Sequence, residues 1–167
     1  MMTTLLISAT IFAPQGELDQ PIAPGTLIEF KAESLDGKQV GSASIVGKTT
    51  LIALWGTWSA PSSRALEIAQ AMHDEFGPKG LRVISLACWD TKENVLGFRR
   101  ANPQLGFDFW FDPRGGDTDS SLAVKVFKTR RFPTFYVLDK QQKVVQGFIG
   151  ARAVNKADVS VAVKKSL

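Results

Sequence analysis

Apolar and polar positions along the chain alternate with two different periods. Thr49-Thr50-Leu51-Ile52-Ala53-Leu54-Trp55 is an almost unbroken apolar run, as a central strand covered on both faces requires. Leu81 to Ala87 repeats the pattern, and Leu27 to Ala32 predicts an earlier strand. Between the two buried runs, Ala65, Ala69, Met72 and Phe76 fall at i, i+4, i+7 and i+11 after Pro61, a helical stripe that Gly77-Pro78 ends. A second helix is predicted from Thr91 to Ala101, stopped by Asn102-Pro103, and a third from Ser120 to Phe127. Phe109-Trp110-Phe111, Thr134 to Leu138 and Val144 to Ile149 read as strands, the last two joined through residues 139–143. Asp36-Gly37 before Gln39-Val40-Gly41 is a hairpin signal. The tail from Asn155 fits either period: Val159, Val161 and Val163 alternate, while Asn155 suits a helix N-cap. No repeat appears, and strand–helix–strand units followed by a hairpin predict a layered α/β fold.

The 167 residues, 44% hydrophobic and 22% charged, suffice for one domain whose core needs neither disulfide nor metal. With one cysteine, Cys88, and one histidine, His73, no intramolecular disulfide and no zinc site of the usual composition can form, and no metal or cofactor is expected. The net charge of +4 rests on short clusters (Arg99-Arg100, Lys128 with Arg130-Arg131, Lys164-Lys165). Without a recognition motif these read as a solvated face, so no nucleic-acid partner is expected. Gly47-Lys48-Thr49 ends like a phosphate-binding loop, yet Ser42 stands where that loop needs glycine, and a strand rather than a helix follows.

Residues 5–13 are apolar but well short of the ~20 residues of a membrane-spanning helix. They read as the remnant of an export signal lacking its basic segment, or as an extra strand. A membrane tether is expected only through a missing or processed N-terminus. Pro14, Gly16, Pro21, Pro24 and Gly25 form a linker-like stretch, which divides the chain into an N-terminal segment, 1–24, and a domain, 25–167.

Chemistry concentrates in Trp55-Gly56-Thr57-Trp58-Ser59-Ala60-Pro61-Ser62-Ser63-Arg64, placed after a buried strand and before a helix. Backbone N–H groups and the helix dipole favour developing negative charge there. With cysteine at 59 and 62 the segment would be W-C-x-P-C, a dithiol motif in which the helix end lowers the first thiol's pKa. Leu35-Asp36-Gly37-Lys38, Gly47-Lys48, Phe111-Asp112-Pro113 and Arg131-Phe132-Pro133-Thr134-Phe135-Tyr136-Val137-Leu138-Asp139 complete the pattern. Over about residues 25–167, the chain resembles the TlpA/ResA-like thiol-disulfide oxidoreductases, exported and often membrane-anchored members of the AhpC/TSA-redoxin superfamily.

The resemblance implies a thioredoxin-like fold: a central mixed β-sheet flanked by helices, with an N-terminal β-hairpin extension. It makes residue 59 the attacking and residue 62 the resolving position of disulfide exchange. Pro133 matches the family's cis-proline, and Trp58, Ala60, Pro61, Phe132, Pro133 and Thr134 would contact extended polypeptide segments of other proteins. It implies a periplasmic or otherwise exported protein, with a cytoplasmic one as the alternative.

The reacting atoms depart from the pattern, because Ser59 and Ser62 stand in both cysteine positions. A hydroxyl is a far weaker acid than a thiol, and oxygen cannot form the mixed disulfide that exchange requires. Ala53 occupies the position where cytoplasmic thioredoxins carry a buried acid. A serine-hydrolase role fails because His73 lies eleven residues beyond Ser62, ~16 Å along the helix. A peroxidase role fails because no thiol follows Thr57 in the required spacing. Cys88 reads as a small buried residue, or as a lone thiol near the same sheet edge. The expectation is a redox-inactive oxidoreductase scaffold, either a natural redox-dead member or a Cys→Ser variant. The alternative is a non-enzymatic peptide-binding module using the groove beside Trp58 and Pro133, with Arg130-Arg131 selecting an acidic partner.

Overall fold

The computed structural model describes residues 16–167; the apolar run at 5–13 lies outside them. Seven strands form one sheet in the order β2-β1-β5-β4-β3-β6-β7. They are β1 (Lys31–Ser34), β2 (Gln39–Gly41), β3 (Thr50–Trp55), β4 (Arg82–Ala87), β5 (Asp108–Phe111), β6 (Thr134–Leu138) and β7 (Val144–Ile149). Strands β3, β4 and β5 run parallel, and β6, β7, β1 and β2 join antiparallel. Helices α1 (Ala60–Phe76), α2 (Lys92–Ala101), α3 (Leu122–Lys125) and α4 (Lys156–Ser166) complete the chain.

The unbroken apolar runs follow from burial on both faces. Leu51, Ala53 and Trp55 of β3 point into one core with Leu66, Ala69 and Met72 of α1 and Val159 and Val163 of α4. The alternate residues Ile52 and Leu54 enter a second core with Phe30, Ile45, Leu122 and Phe127. The tail is a helix because Asn155 accepts the Asp158 N–H at 2.9 Å and Val159, Ala162 and Val163 bury one face. The third helix is shorter than its pattern predicts and is capped by Ser121.

One predicted strand is displaced. Pairing of Leu27–Ala32 begins only at Lys31, while Leu27 makes an isolated bridge to Lys143. The Gly25 and Ile28 N–H groups donate to Val144 and Gln142 at the opposite edge of the sheet. The chain then crosses one face and buries Ile28 and Phe30 beneath it, so burial rather than ladder pairing accounts for these two, while Leu27 stays half exposed. Residues before Gly25 pack on the same face: Ile22 is buried, and its N–H donates to Tyr136 Oη.

Candidate functional site

The register of β3 and β4 fixes the site. Trp55 pairs with Ala87, and the Cys88 N–H continues the ladder to the Trp55 carbonyl at 2.8 Å. The segments leaving the two strands, Gly56–Ser59 and Trp89–Thr91, therefore emerge side by side at one sheet edge. Helix α1 starts there because Pro61 lacks the N–H that a first turn leaves unused, and its apolar stripe seats it on the sheet.

Ser59 is the N-cap residue, but its hydroxyl caps no backbone group. Its N–H donates to the Gly56 carbonyl at 3.1 Å, and the Ser62 N–H donates to the Ser59 carbonyl at 3.0 Å. Ser59 is 8% exposed, and Ser62 is fully buried. Among the described residues, Ser62 Oγ and Trp55 Nε1 have no hydrogen-bond partner. Ala53 is likewise buried, so no carboxylate rises from β3 beneath the helix.

The loop after β3 is held from β4. Asp90, 8% exposed, accepts the Thr57 N–H at 2.6 Å, the Thr91 N–H at 2.9 Å and Asn94 Nδ2 at 3.2 Å. Trp89 adopts φ 56°, a left-handed conformation costly for a bulky residue. Its ring stacks on Trp58 at 5.8 Å and meets Phe132 edge-on at 4.9 Å. Trp58 also meets Phe132 edge-on, at 5.4 Å, and its Nε1 donates to the Cys88 carbonyl at 3.2 Å. It remains 51% exposed, so the three rings form an apolar surface beside Ser59.

The Phe132-Pro133 peptide bond is cis. Pro133 lines a cleft of about 400 Å³ with Ala60, Pro61, Ala65, Ile68 and Val154. The structure thus brings Ala60, Pro61 and Pro133 to one cleft and Trp58 with Phe132 to the aromatic surface. Thr134 falls outside both: it is buried, and its hydroxyl donates to the Arg131 carbonyl at 2.7 Å. Its side chain is spent holding the turn before Pro133, and its backbone is paired into the sheet between Leu54 and Ile149.

Cys88 stands at this edge through its backbone, but its side chain and the remaining candidates turn elsewhere. Cys88 is fully buried, with burial and the nearby Asp112 carboxylate pushing its thiol pKa well above the ordinary value. That favours the small-buried-residue reading over a reactive thiol. His73 lies in the last turn of α1, at the far end of the helix. Arg130 is ion-paired with Asp119 at 2.7 Å, and Arg131 approaches Asp19 at 3.8 Å. The adjacent pair is thus engaged within the chain.

Sequence reasoning passed over Trp89 and Asp90 as site residues, although their place directly after the second buried run was a usable signal. Ala151 and Val154 carry no such signal. They reach the cleft because β7 pairs Ile149 with Thr134, which returns the chain to the Pro133 turn.

Residues 25–146 match the AhpC/TSA family. The chain belongs to that family. It is 26% identical over 121 residues to the thiol-disulfide oxidoreductases ResA of Bacillus anthracis and Bacillus thuringiensis (strain Al Hakam), covering 72% of this chain and 66% of each relative. The matched region thus spans just under two thirds of the length of those relatives. A DsbF homologue from Corynebacterium diphtheriae superposes with a TM-score of 0.69 at 20% identity, over 92% of this chain and 96% of its own. A secreted thiol-disulfide isomerase from Corynebacterium glutamicum gives 0.69 at 24%, over 91% and 93%. A thioredoxin family protein from Chlorobium tepidum TLS gives 0.66 at 20%, over 88% and 99%. The fold is thioredoxin-like, and the scaffold is that of the thiol-disulfide oxidoreductases.

Proposed function

We propose that this chain binds extended polypeptide segments on a thiol-disulfide oxidoreductase scaffold without exchanging disulfides at residues 59 and 62. The observation that carries the reading is the pair Ser59 and Ser62 at the start of α1, with the aromatic surface and the Pro133 cleft retained around them. Exchange needs a thiolate that attacks one sulfur and expels another. Two hydroxyls provide neither, and the buried Cys88 thiol supplies no substitute. Binding asks less: an apolar surface and a groove. Trp58 and Phe132 support this reading as the apolar surface, and Ala60, Pro61 and Pro133 support it as the groove.

An extracytoplasmic location accompanies this reading. The family resemblance supports it, as does the description of the Corynebacterium glutamicum protein as secreted. Among the described residues no helix is long and apolar enough to cross a membrane.

The test is insulin-disulfide reduction by the chain beside its Ser59→Cys/Ser62→Cys variant. The chain is expected to be inert and the variant to reduce the disulfide and titrate as a two-electron couple. Exchange by the unaltered chain, abolished by Ser59→Ala or Ser62→Ala, would overturn the proposal. An inert double variant that still binds peptide would favour the non-enzymatic binding module over a recently silenced enzyme.

A further inference from the structure

We infer that the cleft between α1 and the β7–α4 turn selects extended segments bearing acidic side chains, an inference that rests on the polypeptide-binding reading above. The floor of the cleft is apolar, formed by Ala60, Pro61, Ala65, Ile68, Pro133 and Val154. The one charged residue lining it is Arg64, and no acidic residue lines it. Arg64 is exposed and forms no ion pair among the described residues.

Its position does not serve the helix. Arg64 is the fifth residue of α1, near the end where the backbone dipole is positive and a cation is disfavoured. The first turn holds no acidic residue to offset it. Arg152 lies in the turn between the lining residues Ala151 and Val154 without lining the cleft itself, exposed and also without an ion pair among the described residues. Arg130 and Arg131 are engaged with Asp119 and Asp19 and do not line the cleft. Glu67 lies on α1 but does not line the cleft. The cleft thus has Arg64 in its lining, Arg152 in the turn beside it and no lining carboxylate, the complement of a segment with small apolar residues and one or two carboxylates.

The test uses the full chain and two fluorescein-labelled peptides of alternating Val and Glu or Val and Gln, read by anisotropy. At low salt the Glu peptide is expected to bind about tenfold tighter, with the advantage shrinking as salt shortens the screening length. Arg64→Gln/Arg152→Gln is expected to erase the preference, bringing the Glu peptide's affinity down to that of the Gln peptide. Arg64→Glu/Arg152→Glu is expected to turn it toward a Val–Lys peptide. Equal binding of the Glu and Gln peptides, or an acidic preference that survives both variants, overturns the inference and leaves polypeptide binding standing. Failure of every peptide to bind overturns both.

Discussion

The Asp90 carboxylate accepts the Thr57 N–H at 2.6 Å, tying the loop after the first buried strand to the end of the second. The same carboxylate binds the Thr91 N–H and the Asn94 side chain, so one buried acid sets both the Trp58 loop and the start of α2. Asp90→Ala leaves these donors unpaired and is expected to destabilise the fold by about 2–3 kcal/mol. Asp90→Asn keeps one acceptor oxygen and is expected to cost about half as much. Urea unfolding followed by tryptophan fluorescence checks both. A cost below half a kcal/mol for Asp90→Ala would mean that the loop holds itself.

Much of this arrangement was legible in the sequence. The runs Thr49–Trp55 and Leu81–Ala87 are buried on both faces, so their composition announced a parallel pair, and Pro61 with the Ala65–Phe76 stripe announced the helix between them. Ile28 and Phe30 misled because burial under a sheet and burial within it use the same residues. The Pro133 cleft was only half visible. Ala60 and Pro61 belong to the motif, but Val154 arrives through the register of β6 and β7, which no local pattern encodes. The Arg130-Arg131 dipeptide looked like a free basic patch because neither counter-charge belongs to its local pattern: Asp119 precedes α3 and Asp19 lies in the N-terminal stretch.

Ser62 is a poor fit to its own site. A fully buried hydroxyl without a hydrogen-bond partner costs about 1–3 kcal/mol relative to a satisfied one, whereas a buried cysteine behaves as a small apolar residue. Ser62→Cys is therefore expected to raise stability by about 1 kcal/mol, and Ser62→Ala to be neutral or mildly stabilising. Denaturant midpoints at unchanged m-value measure this. A loss of more than about 1 kcal/mol in both variants would show that the hydroxyl is satisfied in solution.

The Trp58 indole lies over Gly56, where an added Cβ would come within 2.3 Å of Nε1. Gly56→Ala is expected to swing the ring outward, breaking its bond to the Cys88 carbonyl and its stack on Trp89. Because Trp58 is already half exposed, the stability cost should stay near 1 kcal/mol. Peptide affinity should fall by about tenfold, as for Trp58→Ala. The Trp58 indole N–H resonance and the anisotropy titration report the two effects separately. An unshifted resonance in Gly56→Ala would contradict the packing.

Alkaline pH should destabilise the protein in two stages. Burial raises the Cys88 thiol well above its ordinary 9.0 and pushes the Tyr136 phenol up to about 12 from 10.0. Both groups keep their protons in the folded chain after the unfolded chain has released them. The unfolded state then binds fewer protons, so stability falls as pH rises. Each contribution is complete below the unfolded pKa, so the decline should begin near pH 9 with Cys88 and steepen above 10 with Tyr136. Cys88→Ala should flatten the first stage. Tyr136→Phe should flatten the second, at a neutral-pH cost of about 1–2 kcal/mol for the bonds its hydroxyl makes to the Ile22 N–H and the Phe127 carbonyl. The same burial predicts that Ellman's reagent labels Cys88 only as the chain unfolds. Rapid native labelling, or a wild-type stability flat from pH 8 to 11, would show that the thiol reaches solvent.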